Sequence, residues 1–177
     1  MKFLTQLAAW IDKLNERVGN SVIWLTSALV LIVCYDVITR YLFRESMVAI
    51  QELEWHLFAF IFLLAAAFTL KHDRHVRVDV FYVKFSPKVR AWVDLFGTLF
   101  FLIPFSLVVI ISSWNFVAIS FKIGETSPDP GGLPARYILK AAIPIAFILV
   151  LLQSISIIHQ SLKTILNPTA EEGESES

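Results

Sequence analysis

Leu57-Phe58-Ala59-Phe60-Ile61-Phe62-Leu63-Leu64-Ala65-Ala66-Ala67-Phe68-Thr69-Leu70 is apolar at every position but Thr69, and it stops abruptly at Lys71-His72-Asp73-Arg74-His75-Val76-Arg77. Extended back to residue 53, this run is long enough to cross hydrocarbon. A helix rises about 1.5 Å per residue, and about 20 apolar residues span the roughly 30 Å core of a bilayer. Three further runs, near residues 21–43, 92–118 and 138–160, are at least as long. Lipid offers no partner to bare backbone N–H and C=O groups, so each run must be a helix. The composition agrees, with 56% hydrophobic residues, 15 Phe and a mean hydropathy of +0.67. The chain reads as an all-α integral membrane protein with four transmembrane helices.

Working outward from the spans, residues 1–20 form a separate amphipathic segment. Phe3, Leu7, Trp10, Ile11, Leu14 and Val18 trace one helical stripe, with Lys2, Asp12, Lys13, Glu16 and Arg17 off it. The spacing predicts an interfacial helix lying on the membrane, the alternative being a helix that merely extends the first span. No small-residue cleavage pattern follows the first apolar run, so no cleavable signal peptide is expected. Residues 21–165 form the four-helix membrane domain, without an internal repeat. Ser86-Pro87 is a helix start, Ser as N-cap and Pro at the first helical position. Pro104 and Pro144 lie inside the third and fourth runs and are expected to kink them. Between those runs, Gly124-Glu125-Thr126-Ser127-Pro128-Asp129-Pro130-Gly131-Gly132-Leu133-Pro134 excludes regular structure. Asn167-Pro168 ends the last helix, and an acidic tail expected to be disordered fills 166–177.

Lys and Arg counted over alternate loops give the orientation. Lys2, Lys13, Arg17, Lys71, Arg74, Arg77, Lys84, Lys88, Arg90 and Lys163 make ten on one side, and Arg40, Arg44, Lys122, Arg136 and Lys140 make five on the other. The richer side is cytoplasmic, which puts both termini inside and the 44–51 link and the Pro/Gly loop outside. Trp10, Trp24, Trp55, Trp92 and Trp114 fit interfacial anchoring. Cys34 is the single Cys and cannot form an internal disulfide. His56 and His159 fall at opposite membrane faces, while His72 and His75 have nothing to complete a metal site. No Walker loop, nucleophile elbow, CxxC or dinucleotide fingerprint is present, so an enzyme is not expected.

The remaining charges sit at span ends. Asp36 and Arg40 are i,i+4 and share a helix face. The partially negative C-terminus of the first span suits Arg40 and Arg44, and the positive N-terminus of the second suits Glu52 and Glu54. Such charges form an interfacial ion-pair belt, or some face a protein partner. Asp94 is read as an interface carboxylate near Arg90. Ser106, Ser112, Ser113 and Gln153 can bind neighbouring helices. Four spans without paired broken helices or a polar midplane cluster do not make a self-sufficient transporter. The residues alone point to a subunit-type membrane protein.

Three features together resemble the small membrane subunit of tripartite ATP-independent periplasmic (TRAP) transporters, the DctQ-like proteins. The first span closes on Arg40-Tyr41-Leu42-Phe43, the second opens with Glu52, and the segment after it reads His75-Val76-Arg77-Val78-Asp79. The resemblance covers about residues 15–165. Ala65 departs from it, standing where the family often has Gly. The resemblance implies a scaffold subunit in the bacterial inner membrane, without cofactor. It would stand beside a large membrane subunit that imports an organic acid on a sodium gradient, supplied by a soluble periplasmic binding protein. Its partners would be those two proteins and the lipid bilayer, not nucleic acid. Arg40, Glu52, His75, Arg77 and Asp79 would serve assembly. Glu125 and Asp129, on the outer loop, are candidate contacts for the binding protein. The competing classes are an anchor subunit of a redox complex and a small free-standing transporter.

The orientation has a direct test. With Cys34 replaced, Ser86→Cys should resist a membrane-impermeant thiol reagent in intact cells, and Thr126→Cys should react. The reverse pattern would invert the topology.

Overall fold

The computed structural model describes residues 2–72 and 85–166. Every apolar run is helical, and among the described residues there is no strand. Helix α1 (Lys2–Ile38) runs on through a π-helical turn, Thr39–Phe43, and stops where Arg44 turns left-handed at φ +56°. Helix α2 (Val48–Lys71) begins before the apolar stretch that announced it. Helix α3 (Pro87–Lys122) starts as its sequence requires: the Ser86 hydroxyl oxygen accepts the N–H of Val89 at 3.4 Å, with Pro87 next. Helix α4 (Tyr137–Leu166) follows the Pro/Gly loop. All four are long and apolar enough to cross a membrane.

The N-terminal segment is not set apart from the first span. No break falls near residue 20, and the N-terminal half of α1 lies against the C-terminal half of α4. The buried positions there are Ala8, Ile11, Asn15 and Val22, while Trp10 is 59% exposed. The inward face is therefore polar as well as apolar. Asn15 Nδ2 donates to Gln153 Oε1 at 2.6 Å. Asp12 Oδ1 accepts from Gln153 Nε2 at 2.9 Å and from the Ser156 hydroxyl at 2.8 Å. Hydrogen-bonding partners on α4 make this face stick where an all-apolar stripe would have rested on lipid.

Pro104 produces a local opening of α3. A π-helical turn occupies Thr98–Leu102, just ahead of it. Proline has no N–H to give the carbonyl four residues back, here that of Phe100, and its ring would press on that oxygen. The wider turn relieves the crowding. Pro144 sits inside α4 without interrupting it.

Helix α4 is the hub, packed against α1, α2 and both halves of α3. Hydrocarbon is as apolar as leucine, so burial does not drive membrane helices together. Small residues and hydrogen bonds do. Ser106, Ser113 and Ser120, seven residues apart on α3, are buried, as are Ala142, Ala146, Ser154 and Ser156 of α4. The larger apolar cluster is Ala67, Leu70, Leu149 and Val150, against which Leu14, Val18 and Leu102 pack. α1 and α2 meet closely at Gly19, where any Cβ would enter the ring of Phe68. A tight helix contact thus falls at Gly19.

Charged groups collect at two levels. On α2 these are Glu52 and Lys71, separated by about 29 Å at ~1.5 Å per residue, and on α1 Asp36 and Glu16, separated by about 30 Å. Lys71 pairs with Glu16 at 2.5 Å and His72 approaches the same oxygen at 3.0 Å. Asp36 pairs with Arg40 on its own helix, as the i,i+4 spacing anticipates. Both separations match the hydrocarbon thickness.

Gln153→Leu should separate α1 from α4 at the inner level. Interhelical hydrogen bonds in membranes are worth about 0.6–2 kcal/mol, so an unfolding titration in mixed micelles should show a loss of about 1–2 kcal/mol. No measurable loss would mean that this network does not hold the two helices.

Candidate functional site

The charged level beside the Pro/Gly loop is organised around Glu52, in the second turn of α2. The residue is only 4% exposed, although it faces the Pro/Gly loop. Its Oε1 accepts from the Ser127 hydroxyl at 2.5 Å and from Arg136 Nη2 at 2.8 Å. Its Oε2 accepts the backbone N–H of Leu133 at 2.6 Å. One carboxylate thus binds both limbs of the loop and the residue just ahead of α4. The Arg136 guanidinium also lies 5.6 Å from the centre of the Trp55 ring. Loss of hydration is offset by two neutral donors and a cation, the conditions under which a buried carboxylate stays charged.

The loop closes on itself before it closes on Glu52. Ser127 N–H donates to the Leu133 carbonyl at 3.0 Å, and Arg136 N–H to the Glu125 carbonyl at 2.9 Å. Gly131 takes φ +81°, where a side chain would be strained. Gly132 is required for a different reason. A Cβ there would collide with the Ser127 side chain and come within 2.8 Å of Glu52 Oε2. The absence of regular structure that the Pro and Gly content demanded is therefore not slackness.

The candidate residues divide sharply. Glu52 is the centre of the clamp. Arg40 is half-exposed and committed to Asp36, apart from that cluster. Glu125 is tied to Lys140, whose hydrogen bond holds its carboxyl below the usual carboxylate range. Lys140 in turn lies 4.0 Å from the centre of the Phe116 ring. Asp129 stays exposed at the loop's tip. His75, Arg77 and Asp79 lie outside the described residues. Arg136 is the member that sequence reading missed. Its signal was an Arg two residues after Pro134, on the same membrane face as Glu52.

His56 Nδ1 lies 2.6 Å from the Glu52 carbonyl, and His159 Nε2 lies 3.3 Å from the Thr5 hydroxyl at the opposite face. Among the described residues no group of three or more His, Cys, Asp or Glu could hold a metal ion. What the site does is join α2, the outer loop and α4 into one unit.

Compared with known protein families, residues 29–164 match the one described as tripartite ATP-independent periplasmic transporters, DctQ component. The match spans well over half of the 177 residues, and the chain belongs to this family. It includes Arg40, Glu52 and the whole outer loop. No curated protein matches the chain.

Gly132→Ala should overpack the clamp and cost about 1–3 kcal/mol of stability, the usual range for a forced fit. Glu52→Ala should speed hydrogen exchange at the Leu133 amide, whose acceptor it removes. Unchanged exchange at Leu133 would show that Glu52 does not pin the loop.

Proposed function

We propose that this chain is the static small permease of its transporter, a scaffold in the bacterial inner membrane with both termini in the cytoplasm. A large membrane subunit carries the substrate, and a soluble periplasmic protein delivers it. The substrate class is an organic acid and the driving force a sodium gradient, as the family resemblance implies.

One observation carries the scaffold reading. Between its terminal charges, each span lacks Asp, Glu, Lys and Arg altogether: residues 18–35 of α1, 55–70 of α2, 95–121 of α3 and 141–162 of α4. An ion or a carboxylate crossing hydrocarbon needs charged or strongly polar groups near the midplane. Here such groups stay at the two faces and are spent on holding helices together. The clamp at Glu52 supports the same reading, since its donors Ser127, Leu133 and Arg136 bind α2, the loop and the start of α4 together. It leaves a shaped outer surface, with Asp129 at its tip, on which a periplasmic protein can rest.

Reconstitution tests the assignment. Vesicles containing this chain alone should show no uptake of a labelled organic acid. Adding the large subunit and the binding protein should give uptake that collapses with the sodium gradient. Sodium-driven uptake by the lone chain would overturn the scaffold role.

A further inference from the structure

A cleft of about 290 Å³ opens between α2 and α4 at the level of the Glu52 clamp. Trp55, Ala59 and Leu63 line its α2 side, and Ile143 lines its α4 side. The three α2 residues are spaced by four, so they stack on one face and carry the cleft about 12 Å along the helix. Ala59, the small member, gives the cleft its width. Both helices start beside the clamp and run away from it. The cleft therefore has a polar end and an apolar end. Arg136 and Lys140 stand at the polar end, the first 5.6 Å from the centre of the Trp55 ring. Past them, Ala59, Leu63 and Ile143 offer hydrocarbon alone.

Each cation is bonded to a carboxylate, Arg136 to Glu52 and Lys140 to Glu125. Neither pairing exhausts its cation, since a guanidinium has five N–H donors and an ammonium three. Arg136 places Nη2 on Glu52 and Ser127, and its Nε–H has no acceptor among the described residues. Two cations with two carboxylates leave this end neutral overall. It suits a headgroup that carries both signs rather than a bare anion. Size decides what fills the apolar end. A helix with its side chains is at least ~10 Å across, so a length of about 12 Å occupies about 900 Å³. That is roughly three times the cleft. An acyl chain is a single file of methylenes, and it fits.

We propose that this cleft binds one zwitterionic glycerophospholipid. Its phosphate meets Lys140 and Arg136, its ammonium lies beside Glu125, and one acyl chain runs along Ala59, Leu63 and Ile143. Charge-assisted bonds to the phosphate hold the headgroup. The fit of the chain between α2 and α4 distinguishes this lipid from those that merely surround the bundle. The site is built from this chain alone and does not depend on the scaffold role.

Native mass spectrometry of the full chain in mild detergent tests this, after incubation with equal amounts of phosphatidylethanolamine and phosphatidylglycerol. One retained phosphatidylethanolamine is expected. Lys140→Gln should weaken its retention about tenfold, the worth of one charge-assisted hydrogen bond, with Lys140→Arg keeping most of it. Ala59→Phe fills the cleft, leaves both ion pairs in place, and should also release the lipid. A phosphatidylethanolamine with a photo-reactive acyl chain, in vesicles of the same two lipids, should label the segment of Ala59 and Leu63 more than that of Leu31, which is 70% exposed on α1. Equal labelling of the two segments, or retention unchanged by both Ala59→Phe and Lys140→Gln, would reduce the cleft to ordinary lipid-facing surface. Preferred retention of phosphatidylglycerol would overturn the headgroup. Displacement by glycerophosphoethanolamine, which has the headgroup and no tails, would overturn the role of the acyl chain. Labelling lost when the large subunit is co-purified would give the cleft to that partner instead.

Discussion

Hydrocarbon supplies no hydrogen bonds, and the placement of the polar groups that tie these helices together follows from that. In water, a polar side chain left over on a helix surface costs almost nothing. In a bilayer it must reach an interface, turn back on its own helix or find a neighbour. Arg40 and Lys71 take the first course, and the α1 hydroxyls take the second. Glu52 and Gln153 take the third, and they do most to fix the tertiary structure. Because leucine against leucine is no better than leucine against lipid, these few polar ties and the small-residue seams decide which helix stands beside which. The hub position of α4 reflects this. It contributes Gln153 and Ser156 to α1, a run of Ala and Ser to α3, and it is preceded by Arg136, which reaches α2.

The local features were legible in the sequence. Run length gave the four helices because the bilayer sets that length. Ser86 with Pro87 gave a helix start because capping depends on neighbours alone. Asp36 with Arg40 gave an ion pair because i,i+4 is one helical turn. What stayed hidden depends on partners far along the chain. Glu52 meets Arg136 across 84 residues, and nothing local in either residue names the other. Asp12 looked like the solvent side of an amphipathic helix, yet α4 brings Gln153 and Ser156 to it and turns it inward. That same contact explains why α1 continues unbroken where a separate interfacial helix was expected. The π-helical turn before Pro104 was hidden for another reason. Proline marks where a helix is disturbed, but the surrounding packing determines whether the disturbance becomes a kink or a wider turn.

The candidate site was legible only in part. Glu52 was singled out, but as a charge suited to a helix N-terminus, not as the centre of a closed network. Glu125 read as a carboxylate offered to the outside, whereas Lys140 already holds it. Asp129 is exposed, and Glu125 is half-buried against Lys140. The glycines were read only as excluding regular structure, whereas at Gly132 the absence of a side chain is what lets the loop reach Glu52. Composition reveals that a loop is irregular. It does not reveal whether irregularity means mobility or a single fitted path.

The two networks bear on motion as well as on shape. A transport domain needs two arrangements of nearly equal free energy, and conformational change is carried by contacts that can re-form in another register. α4 is tied near its C-terminal end to α1 through Asn15 and the Asp12 carboxylate, and near its N-terminal end to α2 and the loop through the Glu52 carboxylate. The Glu52 donors come from a serine side chain, a loop amide and a guanidinium at three different places in the chain. Sliding α4 along its axis by one turn would break both ties together. Ties at both ends of α4 are the physical basis of the scaffold role proposed for this chain.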